Sequence, residues 1–145
     1  MPTRTARTAW NGTLQEGSGQ VELSSSKAGT FDVNFPKRAA DEAGGVTSPE
    51  ELIAAAHSAC FSMALSNEIA KAGGTPQALD VTAEVTLGQK DGASAITGIN
   101  LTVRGEVEGL DAAGFEEAAR KAKAGCPVSK ALAAVDNITL DAALE

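Results

Sequence analysis

The chain contains two cysteines and one histidine, and these are the side chains with the widest chemical reach. Two of them, His57 and Cys60, stand three positions apart in the stretch PEELIAAAHSACFSMAL, residues 49–65. A thiolate is a nucleophile, a redox centre and a soft metal ligand, and a neutral imidazole is a base or a ligand. Three readings follow. Cys60 is a small buried hydrophobe; or His57, Cys60 and Cys126 supply the two-cysteine, one-histidine ligand count of a zinc site with an open position; or the sulfurs do redox chemistry. Neither CxxC nor HxxxH occurs, so the zinc reading has no specific spacing behind it, and His57 reads instead as a solvated or hydrogen-bonded surface histidine. Cys126, in KAKAGCPVSKAL, falls between the end of one helix and Pro127 at the start of the next. Free N–H groups at a helix start stabilise a thiolate, so the position suits chemistry as well as it suits a packed thiol at a helix junction.

The element that carries Cys60 has a clear beginning. Ser48 is placed as N-cap, Pro49 as the first helical residue and Glu51 at the third position, a capping-box pattern with acidic charge in the first turn. AGGTP ends the helix near residue 72, giving a rod of roughly 36 Å at 1.5 Å per residue, long enough to run through the middle of a small domain. On it Ile53, Ala56, Cys60, Met63 and Ala64 form one stripe by three-and-four spacing, which turns Cys60 inward. Phe61 and Met63 beside it read as core packing in preference to a substrate pocket.

Before this helix, TAWNGTL, QVELSSS and TFDVNF are short, partly alternating segments that read as three strands, and residues 36–48 mix Pro, Gly and charge as an exposed loop. Lys37 and Arg38 in that loop are solvated cations unless a thiolate stands near them. After it, ALDVTAEVTLGQK and SAITGINLTVRGEVE alternate as two long strands about KDGA, a hairpin turn containing Asp91 and Gly92. DAAGFEEAARKAKAG, CPVSKALAAV and NITLDA add two helices and a last strand. The order βββαββααβ predicts an α+β domain with an antiparallel sheet and a long central helix.

At 145 residues the chain is read as one domain, 1–145. Hydrophobic residues make up 43% but aromatics only 3%, so its core must pack Ala, Val, Leu and Ile. A formal charge of -7 leaves no basic stripe for phosphates, which argues against nucleic acid or an anionic membrane as partner. MPTRTARTAW lacks the apolar segment of a secretory leader, and no run reaches the roughly 18 apolar residues needed to cross a bilayer. The expected location is the cytoplasm, where two cysteines outside a CxxC are inert or reactive in preference to permanently bridged.

Taken together, TSPEELIAAAHSACFSMAL and KAKAGCPVSKAL closely resemble the OsmC/Ohr family, the osmotically inducible and organic hydroperoxide resistance proteins, and TAWNG, the strand pair and NITLDA sit in the same order. The resemblance implies the OsmC-like fold as an intertwined homodimer with two sites at the subunit interface. It also implies a peroxiredoxin-like thiol peroxidase that reduces organic hydroperoxides, and hydrogen peroxide less well, in oxidative or osmotic stress. By the same resemblance Cys60 matches the peroxidatic cysteine, Cys126 the resolving cysteine and Glu50 the motif glutamate that orients an arginine. The organic hydroperoxide branch carries that arginine in the first hairpin, where this chain has TLQEGSGQ and none; Arg38 matches the osmotically inducible branch. No bound cofactor or metal is implied, and the reductant is an external dithiol, dihydrolipoamide or a lipoylated protein. Glu50 and Cys60 are ten residues apart on one helix, about 15 Å along its axis, so a site using both is expected to draw them from two chains. The alternatives are a zinc-binding domain using His57, Cys60 and Cys126, and a non-catalytic ligand-binding dimer with inert thiols.

Overall fold

In the computed structural model, which describes residues 1–145, the chain opens with three short strands: β1 (Arg7–Asn11), β2 (Ser18–Glu22) and β3 (Thr30–Val33). They form an antiparallel meander in the order β1-β2-β3, with Val21 opposite both Thr8 and Phe31. A one-turn helix, α1 (Phe35–Arg38), then begins the segment expected to be irregular throughout. Asn34 caps it, accepting the Lys37 N–H at 2.8 Å, and Pro36 in the first turn supplies a φ already suited to helix. The turn places Arg38 at its end, and the chain passes a single bridge, Val33 to Thr47, before the next helix.

Helix α2 (Pro49–Lys71) follows the expected boundaries. Ser48 Oγ accepts the Glu51 N–H at 3.1 Å, and Gly73, at φ +89°, breaks the helix just past its end. Residues 1–52 form one compact unit and 53–145 a second.

The face that α2 buries is not the one expected. His57, Phe61, Leu65 and Ile69, spaced by four, are fully buried, while Met63 is 73% exposed and Ala56 is exposed. Cys60 lies on the flank of the buried stripe, partly covered. Between Leu52 and Leu65 apolar residues fall on more than one side of the helix, so apolar spacing alone selects no face. His57 is accordingly no surface histidine.

In the second unit β4 (Thr75–Lys90) and β5 (Ala93–Glu108) form the expected long hairpin. Asp91 and Gly92, at φ 54° and 79°, make the two-residue turn of positive φ whose twist matches the strands. Helix α3 (Ala112–Gly125), capped by Asp111, and the short α4 (Pro127–Ala131) lead to β6 (Ile138–Leu144). The sheet order is β4-β5-β6. Here one detail departs from an all-antiparallel sheet: β6 runs parallel to β5, because α3 and α4 form a crossover that returns the chain to the end where β5 began. Leu101 and Val103 of β5 alternate into the core and meet Phe61, Leu65 and Ile69 of α2 and Phe115, Ala118, Ala119 and Ala122 of α3, while Ile99 of the same strand is also buried. Phe115 lies over Gly105, where a Cβ would stand 2.7 Å from the ring. That missing side chain lets a full aromatic ring bury, worth about 2–3 kcal/mol.

Candidate functional site

The two cysteines meet. Cys60 Sγ, from the middle of α2, and Cys126 Sγ, from the α3–α4 junction, are 3.1 Å apart, and both are free thiols. Phe61 and Leu65 anchor α2 in the same core that holds Ala119 and Ala122 of α3, so packing on both sides fixes the separation. Closing to a bond of about 2.05 Å needs an approach of roughly 1 Å, within the reach of small rotations.

The two sulfurs are not equivalent. Burial pushes the Cys60 thiol up, the Cys126 sulfur adds to this, and only the Val128 N–H works against them; no cation of the chain acts on Cys60. Burial also pushes Cys126 up, but it is outweighed by the Ser129 N–H, the Cys60 thiol, the Ser129 hydroxyl and the Val128 N–H, and the net direction is down. All of these donors but the Cys60 thiol come from the first turn of α4, although Cys126 closes no capping hydrogen bond of its own. Within one chain, then, Cys126 is the sulfur of the pair whose surroundings favour the thiolate. Access runs the other way: Cys60 is partly exposed, and Cys126 is 0% exposed.

His57, one turn before Cys60, points its Nε2 at Ser129 Oγ, 2.7 Å away. Both residues are buried, and His57 Nδ1 has no partner. The imidazole is thus engaged away from the sulfurs, and His57, Cys60 and Cys126 do not converge as a metal-ligand group. Ser129 was missing from the residues singled out in the sequence. Its signal is the CPVS spacing, which sets the serine at the third helical position, where a residue faces back to the N-cap. Burial pushes the His57 pKa below its usual 6.5, so the unfolded chain takes up the proton at higher pH than the folded one. Its contribution to stability is complete above about pH 6.5 and falls as pH drops below that value. Urea midpoints at pH 7.5 and 5.5 should differ, lower at 5.5, and His57→Gln should reduce the difference; equal differences in both proteins would contradict it.

A second cluster lies in the first unit. Arg38 meets Glu50 side-on, with Nε 3.1 and 3.2 Å from the two carboxylate oxygens and Nη2 at 2.8 Å from Oε1. The bond to Glu50 raises the Arg38 pKa, against a smaller effect of burial. Glu50 is 8% exposed, and this bidentate grip fixes the plane of the guanidinium while its far edge stays free. Arg38 also lines an apolar cavity of about 370 Å³ with Trp10, Leu14, Val21, Phe35 and Leu52. Lys37 is exposed and takes no part.

An α+β fold with two long hairpin strands, a long helix bearing one thiol and a second thiol facing it from a helix junction defines a dithiol protein of the OsmC-like class. Residues 42–141 match the OsmC family, described as OsmC-like protein. Peroxiredoxin OsmC of Escherichia coli (strain K12) is 47% identical over 132 residues, 91% of this chain and 90% of that protein. Organic hydroperoxide resistance protein OhrA of Bacillus subtilis (strain 168) is 36% identical over 97 residues, 67% of each chain. The crystal structure of organic hydroperoxide resistance protein OhrB of Bacillus subtilis superposes with a TM-score of 0.71 at 27% identity, over 97% of this chain and 98% of that one. The chain belongs to the OsmC family.

Proposed function

We propose that the protein is a thiol peroxidase that reduces organic hydroperoxides to alcohols. The observation that carries this reading is the 3.1 Å approach of Cys60 and Cys126, with the family relatives named for peroxide defence as its support. The Cys60 thiolate attacks the distal peroxide oxygen; the O–O bond breaks, the alkoxide leaves and takes a proton, and the sulfur is oxidised to a sulfenic acid. Cys126 then displaces the hydroxyl, giving the Cys60–Cys126 disulfide and water. An external dithiol, dihydrolipoamide or a lipoylated protein, reduces that bond by exchange and is itself oxidised to a disulfide. The cycle needs no bound cofactor or metal, and the proposed setting is the cytoplasm, where such a dithiol is kept reduced.

Cys60 is assigned the first step because it is the sulfur a substrate can reach, although its surroundings within one chain favour the thiol. The missing cation is then Arg38, oriented by Glu50. Ten residues separate Glu50 from Cys60 on α2, about 15 Å of axis, so we assign the two parts of each site to two chains of a homodimer. The exposure of Met63, one turn from Cys60, supports a covering partner on that side of the helix. The apolar cavity beside Arg38 supports an apolar tail on the peroxide, hence organic hydroperoxides over hydrogen peroxide.

Steady-state kinetics with dihydrolipoamide test the reading. Cumene hydroperoxide should show kcat/KM at least about tenfold above hydrogen peroxide, and peroxide without reductant should leave one 60–126 disulfide per chain. Turnover without that disulfide would overturn the cycle.

A further inference from the structure

One buried polar group has no part in that cycle. On the buried stripe of α2, where Phe61, Leu65 and Ile69 are apolar, His57 is 0% exposed and leaves Nδ1 without a hydrogen bond. A buried polar ring with half its capacity unused costs free energy, so the bond it does make must be worth keeping. That bond goes to Ser129 Oγ at 2.7 Å. Ser129 is three residues after Cys126, in the first turn of the helix that Cys126 caps, and its hydroxyl is among the donors that favour the Cys126 thiolate. His57, Ser129 and Cys126 therefore form one buried line that ends at the partly exposed Cys60.

We propose that His57 and Ser129 are positioning residues for the second step of the cycle: Nε2–H of His57 holds the Ser129 oxygen so that the hydroxyl proton is aimed at Cys126 Sγ, keeping that sulfur ready to attack oxidised Cys60. The inference rests on the two-cysteine cycle above. The tautomer follows from the orphan atom. With the proton on Nε2, Nδ1 is an unpartnered lone pair; with the proton on Nδ1, a buried N–H would have no acceptor, and orphaned N–H groups are the rarer case. The Nε2–H tautomer also leaves the serine hydrogen free to point at sulfur, since the oxygen receives its bond from the ring. The same reasoning rules against His57 as a base that takes the Cys126 proton through Ser129, because the imidazolium would carry that orphaned N–H and a buried charge together. The titratable groups facing Cys126 are Cys60 and, through Ser129, His57; no charged side chain acts on it.

The condensation step is read by mixing reduced protein with one equivalent of cumene hydroperoxide without reductant, quenching with acid and alkylating the remaining thiols, across pH 5–9. Ser129→Ala removes a hydrogen bond to a charged acceptor, so the midpoint at which condensation speeds up with pH should rise by about one pH unit or more. The less stable thiolate is the better nucleophile, so below both midpoints the net slowing should be about three- to tenfold. His57→Leu should give the same rise, the double variant no more than either, and His57→Gln, whose amide N–H can stand where Nε2–H does, should recover most of it. A folded Ser129→Ala protein with an unmoved midpoint overturns the proposal, and since it loses a single oxygen it carries the test if His57→Leu does not fold. If wild-type protein forms no 60–126 disulfide, the cycle falls and takes this inference with it; if the disulfide forms with a profile indifferent to Ser129, only the inference falls.

Discussion

Cys60→Ser is expected to lower hydroperoxide reduction by more than about a thousandfold, because a serine hydroxyl is almost wholly protonated near neutral pH and its oxygen is a far poorer nucleophile than sulfur. Cys126→Ser is expected to behave differently: steady-state turnover with a lipoyl dithiol falls, but one equivalent of peroxide is still consumed per Cys60, which stops at the sulfenic acid and can be trapped by dimedone. The pair of variants decides between two properties that point opposite ways. The first turn of α4 favours the thiolate on Cys126, and solvent reaches Cys60. Access should win, since even a fully ionised sulfur at 0% exposure cannot meet a peroxide, whereas the pair can pass its proton across 3.1 Å. A one-equivalent burst in Cys60→Ser, absent in Cys126→Ser, would reverse the two roles.

What could be read beforehand was local. Ser48, Pro49 and Glu51 announce the start of α2, and Asp91–Gly92 the hairpin, because caps and turns are decided by a few adjacent residues. The direction of β6 was not local: whether NITLDA pairs parallel or antiparallel depends on how α3 and α4 return the chain. The buried face of α2 escaped for another reason. Met63 and Ala56 are apolar like Leu65 and Ile69, so spacing offered two stripes, and only the packing of β5 and α3 selects the one that contains His57. Cys60 and Cys126 are 66 positions apart, and nothing in either segment alone says that they touch; the family resemblance, not the spacing, suggested their pairing. Arg38 was legible as a loop cation, but its bidentate seat on Glu50 needed the unforeseen turn of α1.

Replacing Arg38 by Met is expected to lower kcat/KM for cumene hydroperoxide by about a hundred- to a thousandfold, and the pH dependence of that loss tells how the guanidinium acts. One role would be to raise the share of Cys60 thiolate, whose pKa the chain itself pushes up. That role is weak: lowering a thiol from about 8.5 to about 6 multiplies the thiolate near neutral pH roughly thirtyfold, but the less basic sulfur gives back about tenfold or more. The larger role is geometric and electrostatic. In the proposed cycle a guanidinium held flat by the three hydrogen bonds it donates to Glu50 would present its remaining N–H groups to both peroxide oxygens and stabilise the charge that grows on the leaving alkoxide. If thiolate supply were the whole effect, the activity of Arg38→Met relative to the wild type would climb with the thiolate share, and the deficit would shrink steadily from about pH 7 to about pH 9.5. The expected result is a deficit still above about fiftyfold at that pH. Arg38→Lys should recover little of it, because an ammonium cannot make the side-on pair with Glu50 and point a second donor at the substrate. Full rescue of Arg38→Met by pH alone would reduce Arg38 to a source of positive potential and leave the orientation of the peroxide to the cavity.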